Sequence, residues 1–159
     1  MIPKIQKVLY ATDLSKNSAD ALRYAVNTAL KHNAIIHILH VVEPLPPRVK
    51  SQLQVSKETI IRQIKKRLKQ FAEKELQDDP ENIKRIVGIH VVQGDPATEI
   101  LNKTDELDCD TIIMGTHGKG AIGRTLTGSV SEKVFHHIHK PLYIIPLPKG
   151  ETDISMEGS

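Results

Sequence analysis

Apolar residues gather in five short runs, at 8–11, 35–42, 86–92, 111–114 and Leu142–Ile145. Most of these runs are continuous and β-branched rather than alternating. Strands buried on both faces read this way, so the pattern predicts a parallel sheet. Between the runs the period becomes helical. Ala21, Leu22, Ala25, Val26 and Ala29 follow a polar start, and Ile60, Ile61, Ile64, Leu68 and Phe71 form a stripe on a longer, charged helix. Asp95 and Pro96 predict a helix start, Asp as cap and Pro as first helical residue, with Ala97, Ile100 and Leu101 on its apolar side. A last helix begins at Ser129, where Ser129-Val130-Ser131-Glu132 fits a capping box, with Val130, Val134, Phe135 and Ile138 apolar.

The order is therefore βαβαβαβαβ. It predicts an α/β fold, a single doubly wound domain with a five-stranded parallel sheet and helices on both faces. In such sheets ligands bind beyond the carboxyl ends of the strands, where strand order reverses. The 159 residues fit one domain, assigned to residues 1–148, with a polar, glycine-containing tail at 149–159. Residues 43–51 (EPLPPRVKS) carry three prolines and predict a surface loop.

Composition narrows the class. Hydrophobic residues make up 39% and charged residues 26%, too apolar for a disordered chain and too charged for a membrane protein. No run approaches the roughly 20 apolar residues of a spanning helix, and the N-terminus lacks the apolar core of a signal peptide. One cysteine, Cys109, excludes an intrachain disulfide framework and a multi-cysteine metal site. A cytoplasmic location is the expectation. The net charge of +3 and 3% aromatics, without Trp, do not predict nucleic-acid binding. The basic cluster at 62–74 reads as the solvated face of a helix.

The stretch MGTHGKGAIGRTLTGS, residues 114–129, holds five of the nine glycines. It joins a predicted buried strand to a predicted helix start. Glycines let backbone approach a ligand, a helix N-terminus offers unpaired N–H groups to an anion, and Lys119 and Arg124 add positive charge. A phosphate cradle is the reading. The G-x-G-x-x-G at 118–123 lacks the strand-to-helix junction and acidic partner of a dinucleotide fingerprint. The P-loop spacing at 118–125 has Arg124 where that motif needs Lys.

A third spacing fits better: Gly115-x2-Gly118-x9-Gly128-Ser129, or G-x2-G-x9-G-[ST]. It resembles the nucleotide-binding motif of the universal stress protein family, in its ATP-binding branch. Residues 7–15 (KVLYATDLS) resemble that family's first strand with its terminal acid, and Leu39-His40-Val41-Val42 its second. Gly94-Asp95-Pro96, residues 128–134 and Lys140-Pro141-Leu142 resemble later parts. The resemblance covers roughly residues 3–147.

The resemblance implies a stress-response regulatory module that binds ATP or another adenine nucleotide, with Mg as companion ion. The implied nucleotide-binding residues are Ala11, Thr12, Asp13, Val41, Met114, Gly115, Gly118, Gly128, Ser129 and Val130. Asp13 would hold the ribose, with Thr12 beside it. The Val41 backbone would meet adenine, Gly115 and Gly118 would let the loop fold over the phosphates, and Gly128, Ser129 and Val130 would contact phosphate. By its chemistry Asp13 suits sugar hydroxyls, and it also suits a helix cap. The resemblance further implies a homodimer through the last strand, Leu142–Ile145, with Tyr143 and Ile145 facing the partner. No catalytic residue and no protein metal site is assigned. His117 reads as a solvent-facing loop residue, and His136, His137 and His139 as complements to a helix dipole. Two alternatives stand beside this reading: a slow ATPase or related adenine-nucleotide enzyme, and a dimeric interaction protein that needs no nucleotide.

Overall fold

The computed structural model describes residues 1–52, 55–115 and 129–146. Five parallel strands form one sheet: β1 (Lys7–Ala11), β2 (Ile35–Val42), β3 (Ile86–Gln93), β4 (Thr111–Gly115) and β5 (Leu142–Ile145). Their order is β3-β2-β1-β4-β5. β1 is central, with Ala11 beside Leu39 of β2 and Met114 of β4. Among the described residues five helices accompany the strands: α1 (Lys16–His32), α2 (Pro47–Lys50), α3 (Lys57–Glu75), α4 (Pro96–Glu106) and α5 (Ser129–His137). A 3-10 turn, Pro80–Arg85, precedes β3.

Helices cover both faces. Val8 and Tyr10 of β1 and Ile36 and Ile38 of β2 pack with α1 and α3, against Ala21, Leu22, Ala25 and Leu68. The alternate residues Leu9, Ala11 and Leu39 pack with α4 and α5, against Ala97, Ile100 and Val134. β1 is apolar throughout because both faces are covered, as its continuous run predicts. At the opposite end the Asp110 carboxylate accepts from the N–H groups of Gln6 and Lys7 at 2.8 and 2.9 Å, joining the starts of β1 and β4.

The predicted sheet, the five strand positions and the apolar stripe of α1 agree with the structure. Asp95 caps α4 by accepting from Thr98 N–H at 3.0 Å, with Pro96 leading the helix. Several details differ. Residues 43–51 contain the one-turn helix α2, started by Pro47 at its first position. Phe135 is 61% exposed: it lies outside the arc that α5 turns to the sheet. Ile145 is buried against the α1 side of the core, which leaves Tyr143 as the exposed side chain of β5 on that face. Cys109 is fully buried, and burial pushes its thiol up to about 11. The tail at 149–159 lies outside the described residues.

One pair of side chains joins β2 to the edge strand β3. His37 Nδ1 and His90 Nε2 are 3.0 Å apart. Burial lowers both from their ordinary values; Lys7 adds to the effect on His37, and the facing imidazole, Lys103 and Lys65 add to it on His90, where Glu106 acts the other way. The unfolded chain then binds more protons than the fold just below pH ~6.5, the ordinary His value. Stability therefore falls as pH drops through the window between that value and the lowered folded ones. The expected outcome is a thermal midpoint that declines on acidification below about pH 6.5, less steeply in His37→Gln. Equal slopes in parent and variant would exclude the pair as the cause.

Candidate functional site

Strand order reverses beside β1. The chain passes from β1 through α1 to β2 on one side, and β4 lies on the other. The carboxyl ends of β1 and β4 lie side by side here, with Ala11 opposite Met114, and this is where an open parallel sheet binds ligands.

A buried hydroxyl chain builds the end of β1. Thr12 N–H donates to Leu39 O at 2.9 Å, and the Thr12 carbonyl accepts from His40 Nδ1–H at 2.8 Å. The Thr12 hydroxyl meets the Ser18 hydroxyl. Ser18 in turn lies 3.2 Å from the Tyr10 hydroxyl, which donates to the Ser18 carbonyl. One direction satisfies all three hydroxyls: Thr12 to Ser18, Ser18 to Tyr10, Tyr10 to the carbonyl. Thr12, Ser18 and Tyr10 are all buried. Burial, aided by the charges of Asp13 and Glu75, pushes the Tyr10 hydroxyl up to about 12 against the opposing effect of its hydrogen bonds, so it stays a donor.

This chain fixes an unusual turn. Leu14 has φ +69°, a left-handed conformation that costs an L-residue roughly 1–2 kcal/mol. Two side chains hold the turn. Thr12 Oγ1 accepts from Leu14 N–H at 3.1 Å, and Asp13 Oδ1 accepts from Ser15 N–H at 2.9 Å. Leu14 itself packs on the α1-side core. Ser15, not Asp13, caps α1, accepting from Ser18 N–H. The half-buried Asp13 carboxylate is thereby held at the end of the sheet, one oxygen braced by backbone and the second suited to a further donor.

The remaining predicted residues divide clearly. Ala11 and Met114 are paired across β1 and β4. Together with Val41 and Val130 they belong to one apolar cluster on the α4/α5 face. Gly115 closes β4 and is half-buried. Ser129 is exposed and is the first described residue of α5. Gly118, Gly128 and His117 lie outside the described residues. His136, His137 and His139 are exposed. His137 Nδ1–H donates to Lys133 O at 2.9 Å, and His136 sits 3.9 Å from Glu132. Among the described residues no three His, Cys, Asp or Glu side chains converge on a metal position.

Sequence reasoning did not assign Tyr10, Ser18 or His40 to the site. A tyrosine within an apolar strand and a serine within a helix carry no mark of contact, since eight residues and a turn separate them. At the far end of the sheet a groove of ≈ 490 Å³ is lined by Leu30, Asn33 and Arg85 among others. There Arg85 is taken up by Asn33, Ala34 and Asn82.

The model of the universal stress protein family matches residues 4–146. The chain is 32% identical over 146 residues to universal stress protein MJ0531 of Methanocaldococcus jannaschii, covering 92% of this chain and 85% of that protein. It superposes on universal stress protein UspA from Lactobacillus plantarum with TM-score 0.73 at 20% identity, covering 91% of this chain and 99% of that one. The universal stress protein from Archaeoglobus fulgidus, solved in complex with dAMP, matches with TM-score 0.54 at 23% identity, covering 91% and 99%. No helix among the described residues is long and apolar enough to cross a membrane.

Tyr10→Phe tests the hydroxyl chain. It leaves a buried Ser18 hydroxyl short of a partner, and the expected loss is about 1–2 kcal/mol of stability by urea titration at unchanged slope. An unchanged midpoint would mean that the chain does not hold the turn.

Proposed function

The chain belongs to the universal stress protein family, and from that premise we propose that it binds an adenine nucleotide at the carboxyl ends of β1 and β4. The observation that carries the reading is the braced Asp13 turn at the switch point beside Gly115. An ionised carboxylate with one oxygen tied to backbone is a pre-oriented acceptor for ribose hydroxyls. Beside it Ala11, Val41, Met114 and Val130 offer apolar surface suited to a base. The start of α5, with Ser129 exposed, suits phosphate. Gly118 and Gly128 complete the phosphate cradle in this reading, and Mg accompanies a triphosphate. The Archaeoglobus fulgidus relative in complex with dAMP supports the same ligand class.

The protein acts in this reading as a regulatory module of the stress response, its nucleotide a signal rather than a substrate. It pairs as a homodimer through β5. In the sheet its neighbour is β4, and it stands last in the strand order. Its outer edge is short, and exposed Tyr143 adds apolar area beside it. The domain extends over residues 1–148, with 149–159 as its tail.

Calorimetry with ATP and AMP should give micromolar affinity, about −8 kcal/mol. Asp13→Asn keeps the Ser15 brace and removes the charge. It should weaken binding roughly tenfold, since a charge-assisted hydrogen bond contributes about 1.5–3 kcal/mol. No heat at millimolar nucleotide would refute the reading. Light scattering at micromolar concentration should give twice the 17.7 kDa chain mass; a strictly monomeric species would refute the β5 pairing.

A further inference from the structure

The most specific polar arrangement outside the nucleotide site is the imidazole pair on β2 and β3. It lies on the α4/α5 face, away from the strand ends that hold Asp13. In register, His37 stands opposite Gly88 and His90 opposite Leu39, so the two rings approach along a diagonal. Their centroids are 5.1 Å apart with planes at 40°. A side chain at position 88 would prevent this. A Cβ there would sit 2.7 Å from His90 Nε2 and 2.9 Å from His37 Nδ1. Gly88 therefore keeps open the space in front of both nitrogens at once.

We propose that His37 Nδ1 and His90 Nε2 form a two-imidazole site for a divalent transition-metal ion of square-planar or octahedral preference, such as nickel or copper. The nitrogen separation, set now by a hydrogen bond, also matches a right-angled pair of ligands. Metal–imidazole bonds run roughly 2.0–2.1 Å, so two ligands at a right angle stand about 3.0 Å apart. Tetrahedral ligands need about 3.4 Å at the same bond length. The pair stands at 3.0 Å already. The right-angled arrangement with nitrogen and oxygen donors is that of nickel and copper.

The proton balance is simple. One ring N–H now lies between the two nitrogens. On metal binding it moves, by way of solvent, to the far nitrogen of the same ring, His37 Nε2 or His90 Nδ1. Both lone pairs then face the ion with no net proton released. The lowered basicity of both rings keeps them neutral, the form that ligates, at neutral pH. The surrounding charges limit affinity. Lys7, Lys65 and Lys103 oppose a cation and Glu106 favours it. Two of the lysines are partly engaged: Lys103 with Glu106 at 3.1 Å, and Lys7 with the Leu107 carbonyl at 3.3 Å. No third protein donor converges among the described residues. Water fills the remaining positions, and the ion is exchangeable.

The test is titration of the full chain with Ni(II), followed by calorimetry and by proton NMR of the histidine ring signals. His37→Gln and His90→Gln should each weaken Ni(II) binding at least tenfold. The triple variant His136→Gln, His137→Gln, His139→Gln should retain binding at this site. In the unmodified protein, substoichiometric Ni(II) should broaden the His37 and His90 ring protons before those of the exposed histidines, a readout that needs no variant. Binding that survives both single substitutions, or that vanishes in the triple variant, would overturn the proposal. So would broadening that begins at His136, His137 or His139.

Discussion

β1 is bonded on both sides, and its neighbours belong to opposite halves of the sheet. Everything else about the site depends on that constraint. Once β2 and β4 flank β1, the helix that follows β1 leads to β2 on one side, with β4 on the other. The chain must also turn sharply between Ala11 and the first turn of α1, because α1 packs directly on the face that Val8 and Tyr10 present. The left-handed Leu14 accomplishes the turn, and buried hydroxyls oppose its strain. Asp13 occupies its position because of the turn, not through contacts of its own with the core.

Much of the fold was legible because the strands are buried on both faces. A β-branched run such as 35–42, preceded by Asn33 and followed by Pro44, has few other readings. The stripe Ala21, Leu22, Ala25, Val26, Ala29 is equally direct, since one helix face meets one sheet face and all five side chains are buried. Phe135 and Ile145 were less legible for the same physical reason. At the ends of a sheet the covered arc narrows, so an apolar residue near β5 can be core or surface according to the helix that reaches it. Ile145 is reached by the α1-side core, and Phe135 faces outward.

The site was legible where chemistry is local. Asp13 at a strand end and Gly115 after a buried run carry their own signals. The groups that hold them do not. Tyr10, Thr12 and Ser18 become one network only when α1 folds back over β1, and His40 reaches Thr12 only through β2 pairing. The same holds for His37 and His90, which lie 53 residues apart and meet through the register shift between Ile36 and His37. Period-two patterning of a strand cannot choose a partner on another strand.

The proposed ligand site lies at the β1–β4 end of the sheet, where the braced turn presents Asp13. Backbone amide NMR during titration with AMP tests this most directly, because it locates the contact without altering the chain. Shifts should concentrate at Thr12, Asp13, Leu14, Ser15, Gly115, Ser129 and Val130, with little change at Asn33, Ala34 and Arg85 at the opposite end. Shifts centred on that opposite groove, or no shifts at millimolar AMP, would contradict it.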